Sequence, residues 1–231
     1  HEAAHRQAPT EALKRLKFPP ASFRHGQRDL AVAVYKAARS GQSLLAQAPT
    51  GSGKTIATLY PMLKACPGAG IDKVFFLTAK GSARSLALTA IETLRAAEPA
   101  LPLRALELTA REKACEHPDK ACHGESCALA RNFYDRLPPG RSAAAPAAGT
   151  LTRAVLRDVA LAHGVCPYYL GQEMAQWSDV IVPDYNHYFD RGALLHASMQ
   201  ANAWRVGLLV DEAHSLPVRA RAMYSASLGM A

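Results

Sequence analysis

Eight residues, Ala48-Pro49-Thr50-Gly51-Ser52-Gly53-Lys54-Thr55, constrain this chain more than any others. They match the A/G-x-x-x-x-G-K-S/T loop, with Ala48 in place of the usual first glycine. Its glycines let backbone N–H groups turn inward around phosphate oxygens. Lys54 adds a point charge at the terminal phosphates, and the Thr55 hydroxyl is placed to bind Mg²⁺. A helix beginning at Lys54 adds its positive end. The surroundings agree: Ser43 to Ala46 is short, apolar and bounded by Gly and Pro, which reads as a buried strand, and Lys54 to Ala65 reads as a helix. A chance Gly-rich turn has no reason to sit between a strand and a helix. Thr50, Gly51, Ser52, Gly53, Lys54 and Thr55 are therefore the nucleotide-binding candidates.

The rest of the chain repeats that alternation. Gln27 to Arg39 reads as a helix with Gly41 just past its end. Val74 to Leu77 is a second buried strand. Leu86, Ala90, Ile91 and Leu94 share one helical face, and Leu103 to Leu108 gives a third strand. Strand and helix in alternation predict a parallel sheet with crossover helices. From Ala110 to Gly149 strand signals vanish and cysteines appear, and Pro138 to Gly149 reads as a low-complexity linker. Leu151 to Ala162 is helical, and then Val180 to Val182 and Leu208 to Val210 resume the sheet. The expected organisation is one α/β domain, residues 1–109 and 168–231, interrupted by an insertion over 110–167.

The strand Val206 to Val210 runs into Asp211-Glu212-Ala213-His214. Ligands bind at the carboxyl ends of parallel strands. An Asp there can hold Mg²⁺ through its water shell, and the adjacent Glu can orient and deprotonate the water that attacks a γ-phosphate. With the phosphate loop upstream, Lys54, Asp211 and Glu212 become the catalytic candidates. A P-loop kinase fits less well, because such kinases seldom carry this acidic spelling.

Four of the five cysteines, Cys115, Cys122, Cys127 and Cys166, have six, four and 38 residues between them. A zinc ribbon shows two CxxC pairs, and this spacing shows none. Iron–sulfur clusters take four thiolates at more varied spacing. Spacing alone leaves zinc and cluster both open. Four buried thiols are disfavoured by the polar company of Glu116, Asp119 and His123. Cys66, in the helix after the phosphate loop, reads as a core thiol.

Taken together these motifs resemble the XPD/DinG group of superfamily 2 helicases. Asp211-Glu212-Ala213-His214 matches the DEAH form of their motif II, and the resemblance assigns His214 to coupling the nucleotide site with the rest of the motor. That group carries a four-Cys iron–sulfur domain between the phosphate loop and DEAH, its last Cys followed by Pro and an aromatic. Here the run is Cys166-Pro167-Tyr168-Tyr169-Leu170. The resemblance thus implies a 4Fe–4S cluster on Cys115, Cys122, Cys127 and Cys166. The implied fold is a RecA-like parallel sheet with flanking helices, interrupted by a small, mostly helical cluster domain. Asp179 to Asn186 resembles the group's A-D-(apolar)-N-Y segment but reorders it as Asp184-Tyr185-Asn186. Gln27 stands where the group reads the adenine edge. Thr78, Lys80 and Arg84 stand where motif Ia touches the DNA backbone, and Tyr168 and Tyr185 are candidates to stack bases.

The implied function is an ATP-dependent DNA helicase moving 5′ to 3′ on single-stranded or forked DNA, with ATP, Mg²⁺ and the cluster as cofactors and a second motor domain completing the ATPase site. The alternative is a metal-bearing nucleotide-binding switch or scaffold without unwinding activity. Composition agrees with an anionic partner: 27 Lys and Arg against 19 Asp and Glu give +8. Hydrophobic residues make up 49% of the 231, enough for a core. No run is long and apolar enough for a membrane span, and the first residues carry no signal-peptide core, so a cytoplasmic location is expected. The chain starts on His1 and stops soon after DEAH, as expected for a piece of a longer protein.

Overall fold

The structure is a computed structural model and describes residues 10–19, 23–49, 51–99, 101–145, 149–190 and 192–226. The described elements run α1 (residues 10–15), α2 (Gln27–Ser40), α3 (Lys54–Ala69), β1 (Lys73–Leu77), α4 (Gly81–Ala97), β2 (Ala105–Glu107), α5 (Arg111–Ala114), α6 (Phe133–Ala144), β3 (Thr150–Leu151), α7 (Arg153–Ala162), α8 (Pro167–Met174), β4 (Val180–Val182), α9 (Asn186–Phe189), α10 (Leu194–Ala201), β5 (Val206–Val210) and α11 (Leu216–Met223). The five strands form one sheet in the order β3-β2-β4-β1-β5, and every pairing is parallel.

The strand period explains the layers. All five residues of β1 are buried, as a parallel strand covered on both faces requires. Val74 and Phe76 face one way, into a core shared with Val180, Val182 and Leu209 and closed by Leu59, Leu63, Ile91 and Leu94 of α3 and α4. Phe75 and Leu77 face the other way, with Ile181, Leu106 and Leu151, against Leu156, Ala160, Leu170 and Met174 of α7 and α8. The sheet is thus the middle layer of a RecA-like α/β domain, and its carboxyl ends present Thr78, Asp184 and Asp211 side by side.

Three expectations are corrected. Ser43 to Ala46 is not a strand; residues 42–49 have no regular structure, and Leu45 is 90% exposed. An apolar run becomes a strand only if a sheet edge takes its hydrogen bonds, and the described sheet stops at β5. Pro138 to Ala144 is not a linker but the body of α6, with Leu137, Gly140 and Ala144 buried. Small residues there allow close approach: a Cβ on Gly140 would lie 3.4 Å from Val165 Cγ2 and 3.5 Å from His163 Cβ. That packing offsets the two N–H groups the prolines lack. Residues 146–148 of the expected linker lie outside the described residues. Finally, Leu151, expected to open a helix, pairs with Leu106 as Thr150 does with Ala105, so a short strand precedes α7.

Candidate active site

The phosphate loop joins the irregular segment 42–49 to α3. Gly51 and Gly53 have φ of 81° and 80°, a left-handed backbone that glycine enters without strain. Thr50, the third residue of the motif, lies outside the described residues. α3 begins at Lys54 with no side-chain cap and no acidic residue in its first turn, so its leading N–H groups and positive end stay open to an anion. Ser52 Oγ is buried among the described residues without a hydrogen-bond partner. Two residues before α3 fix the loop. Arg24 Nη1 donates to the Gly51 carbonyl at 2.8 Å, and Gln27 Nε2 donates to the Gly53 carbonyl at 3.2 Å. Gln27 Oε1 also accepts the Arg24 N–H at 2.9 Å, and the residue is 4% exposed. The amide expected to read adenine therefore clamps the phosphate loop in this structure. Arg24 opens the Arg24-x-x-Gln27 element that the sequence shares with the helicase group, but its bond to Gly51, 27 residues on, is not legible in adjacent letters.

The acidic motif arrives from the other side. β5 lies beside β1, with Leu77 opposite Val210, and the Asp211 N–H donates to the Leu77 carbonyl at 3.0 Å. Glu212 then takes φ 54° and ψ 43°, a left-handed conformation uncommon for a residue with a Cβ. This turn brings Glu212 Oε1 to 3.2 Å from Lys54 Nζ. His214 Nδ1 lies 3.4 Å from Glu212 Oε2, and its side chain is 77% exposed. Burial, then the neighbouring Glu212 charge, raises the Asp211 carboxyl above its ordinary range, with Lys54 working against both. The Thr55 backbone carbonyl accepts the Thr58 hydroxyl at 3.1 Å, within the first turn of α3.

The residues expected to touch nucleic acid divide in two. Lys80 is exposed at the start of α4, and Tyr168 is half-buried at the start of α8. The other three are interior. Thr78 is 0% exposed, and its hydroxyl donates to the Pro183 carbonyl. Arg84 is 6% exposed, its guanidinium 3.8 Å from both Glu107 Oε1 and Asp184 Oδ2. Tyr185 is 1% exposed, and its hydroxyl donates to the Asp211 carbonyl. None of these three offers a face to a strand of nucleic acid. They tie strand ends together instead. Glu107 ends β2 and also accepts the Arg153 N–H of α7 at 2.8 Å. Asp184 follows β4 and pairs with His187 at 2.8 Å. Burial opposes ionisation of Asp184, but the His187 contact and the Arg84 charge hold its carboxyl below the usual range. Burial, then Asp211 and Glu212, push the Tyr185 phenol up to about 12, so it remains a donor near neutral pH.

The four expected cluster thiols come from three places: the end of α5 (Cys115), the turns before α6 (Cys122, Cys127) and the start of α8 (Cys166). Cys166 lies within electrostatic reach of Cys115 and Cys127, and Tyr169 feels both Cys122 and Cys166. Burial raises the Cys166 thiol overall, with the Tyr169 and Tyr168 amides working against it. Arg111 Nη1 sits 3.8 Å from Cys122 Sγ. Among the described residues, no group of three or more His, Cys, Asp and Glu gathers tightly enough to hold a single metal ion. Cys66 stands apart, buried in the other core, its thiol pushed up to about 12 by burial. No described helix is long and apolar enough to cross a membrane.

A phosphate loop opening a helix, facing an Asp-Glu pair at the end of a parallel strand, is the arrangement of a P-loop nucleotide-binding domain. The sequence model of the DEAD_2 family matches residues 82–230, and that of the DEAD/DEAH box helicases matches residues 28–108. The chain belongs to the DEAD_2 family and carries the motor-domain fold of XPD-like superfamily 2 helicases. A solved structure described as XPD helicase superposes with a TM-score of 0.59 at 20% identity, covering 85% of this chain and 34% of its own. A second, described as truncated XPD, gives 0.52 at 19% identity, covering 81% of this chain and 52% of its own. The chain thus spans about a third of the first and about half of the second. No curated protein matches the sequence.

Proposed function

We propose that this chain is the first motor domain of an ATP-dependent DNA helicase that moves 5′ to 3′ on single-stranded or forked DNA. The observation that supports the reading is the 3.2 Å approach of Lys54 Nζ to Glu212 Oε1, the proximity that a reaction centre shared by the phosphate loop and the acidic strand end requires. Lys54 and the open N–H groups of α3 bind the terminal phosphates. Glu212 orients the attacking water and takes its proton. Thr55 and Asp211 would hold Mg²⁺, whose charge offsets that building on the phosphate oxygens. Gln27 would exchange its bond to Gly53 for the adenine edge when nucleotide arrives. His214, on the exposed side of the motif, carries the change in nucleotide state to a second motor domain, which supplies the arginine that completes the site. Lys80 and Tyr168 remain the candidates for nucleic acid. The test is ATP hydrolysis by the longer protein carrying this chain, with and without single-stranded DNA. Stimulation of at least about tenfold is expected, a small part of the roughly 10³ to 10⁵ that completing a phosphoryl-transfer site can supply. Hydrolysis indifferent to DNA would favour the switch or scaffold reading.

We further propose that Cys115, Cys122, Cys127 and Cys166 hold a 4Fe–4S cluster. The four thiols come from three segments, Cys166 lies within electrostatic reach of Cys115 and Cys127, and the Tyr169 and Tyr168 amides favour a charged sulfur at Cys166. A cluster is larger than one ion, so its ligands need not close on a single point. It would act as a rigid wedge beside the DNA fork. Protein purified without oxygen is expected to absorb near ~400 nm and to carry about four irons. Cys166→Ser should lose both signals. Cys66→Ser should keep both, because Cys66 is buried in the opposite core. Zinc in place of iron, or iron lost on changing Cys66, would refute the assignment.

A further inference from the structure

We infer that Tyr185 is a positioning residue for ATP hydrolysis: its hydroxyl fixes the Asp211 carbonyl and so holds Glu212 in its left-handed conformation. The inference rests on the ATPase reading of this site and adds a residue that touches neither nucleotide nor metal. Among the described residues only Asn132, Ala203 and Glu212 have positive φ without being glycine, and of these only Glu212 carries a carboxylate at the end of a sheet strand. A residue with a Cβ stays in that region only when its surroundings over-determine it.

The surroundings here can be named. On one side of Asp211 its N–H is held by the Leu77 carbonyl, as the last bond of the β1–β5 ladder. On the other side its carbonyl accepts the Tyr185 hydroxyl. The two peptide planes that meet at the Asp211 Cα are thereby each held by one bond, and the plane between Asp211 and Glu212, held through its carbonyl, sets φ of Glu212. Tyr185 is itself immobile. It is 1% exposed, packs edge-on against Phe189, and follows Asp184, which is bridged to Thr78 and faces buried Arg84. Because β1 lies between β4 and β5, the phenol spans two strand spacings, about 4.8 Å each. No shorter polar side chain at this position would reach. Loss of the hydroxyl frees the peptide to rotate, and Glu212 relaxes toward ordinary φ with its carboxylate displaced from the reaction centre. Lys54 loses its Glu212 contact, but the phosphate loop stays held by Arg24 and Gln27, so nucleotide binding persists.

The test is Tyr185→Phe in the longer protein carrying this chain, with steady-state ATPase at saturating single-stranded DNA and a thermal melt beside it. The ring and its packing remain, so the melt should stay close to that of the unchanged protein. kcat is expected to fall about tenfold or more with KM for ATP within about twofold, the pattern of an interaction that serves the transition state alone. A Tyr185→Phe protein with unchanged kcat overturns the inference, as does one in which kcat and ATP affinity fall together with the melt, since that pattern belongs to general loss of structure. If Tyr185→Leu is inactive while Tyr185→Phe is fully active, the ring acts through packing and the inference is again overturned. An unchanged protein without ATPase activity overturns the ATPase reading and this inference with it.

Discussion

Glu212→Gln should reduce ATP turnover by about 100-fold or more while ATP binding persists, because a positioned general base contributes on the order of 10² to 10⁴ in rate. The substitution keeps the shape of the side chain and a hydrogen-bond acceptor for Lys54, now at 3.2 Å from Oε1, but removes the basic oxygen. Both partners are substantially exposed, so losing this ion pair should change stability little. Turnover and the affinity for a non-hydrolysable ATP analogue separate the two effects. A variant that turns ATP over at the original rate would exclude Glu212 as the base.

The largest stability effect is expected at Arg84. Arg84→Met removes a buried cation shared by Glu107 and Asp184, which are themselves partly exposed at 18% and 25%. Breaking a buried ion pair by removing one partner typically costs about 3–5 kcal/mol. The 3.8 Å separations are longer than hydrogen bonds, which places this case near about 3 kcal/mol. For a chain of this size the melting temperature should fall by about 6–12 °C. The pH dependence has a definite sign. Asp184 is held below its ordinary pKa in the folded chain. Its contribution is therefore present in full above the unfolded value of about 3.9 and is lost as pH falls through the folded value. Acid also protonates Asp184, so the deficit of Arg84→Met should shrink below about pH 4. Urea unfolding of both proteins across that range checks this; a deficit independent of pH would locate the role of Arg84 in packing alone.

These two residues illustrate how differently the site could be read before folding. Glu212 could be named as a candidate because its pattern is local: an apolar strand ending in Asp-Glu-Ala-His is written in adjacent letters. Lys54 could be named for the same reason, since the glycines around it specify their own backbone angles. Arg84 and Tyr185 resemble surface residues near a motif, and as such they read as DNA contacts. Their burial depends on Glu107, Asp184 and Asp211, which lie far away in the chain. No local pattern records such partners, and a polar side chain enters a core only where they wait for it.

The sequence by itself determined the α/β class, four of the five strand positions it proposed, the helices after the phosphate loop and before β2, and the nucleotide motifs. Each of these follows from short-range physics: periodic burial, glycine at positive φ and the positive end of a helix. Tertiary structure decided the rest. It left Ser43 to Ala46 exposed because the described sheet offers that run no partner, and it made Pro138 to Ala144 a packed helix because small residues let α6 approach Val165. It drew Thr150 and Leu151 into the sheet through hydrogen bonds to β2. It also turned Thr78, Arg84 and Tyr185 inward, where hydrogen bonds and ion pairs between strand ends outweigh the cost of taking polar groups from water.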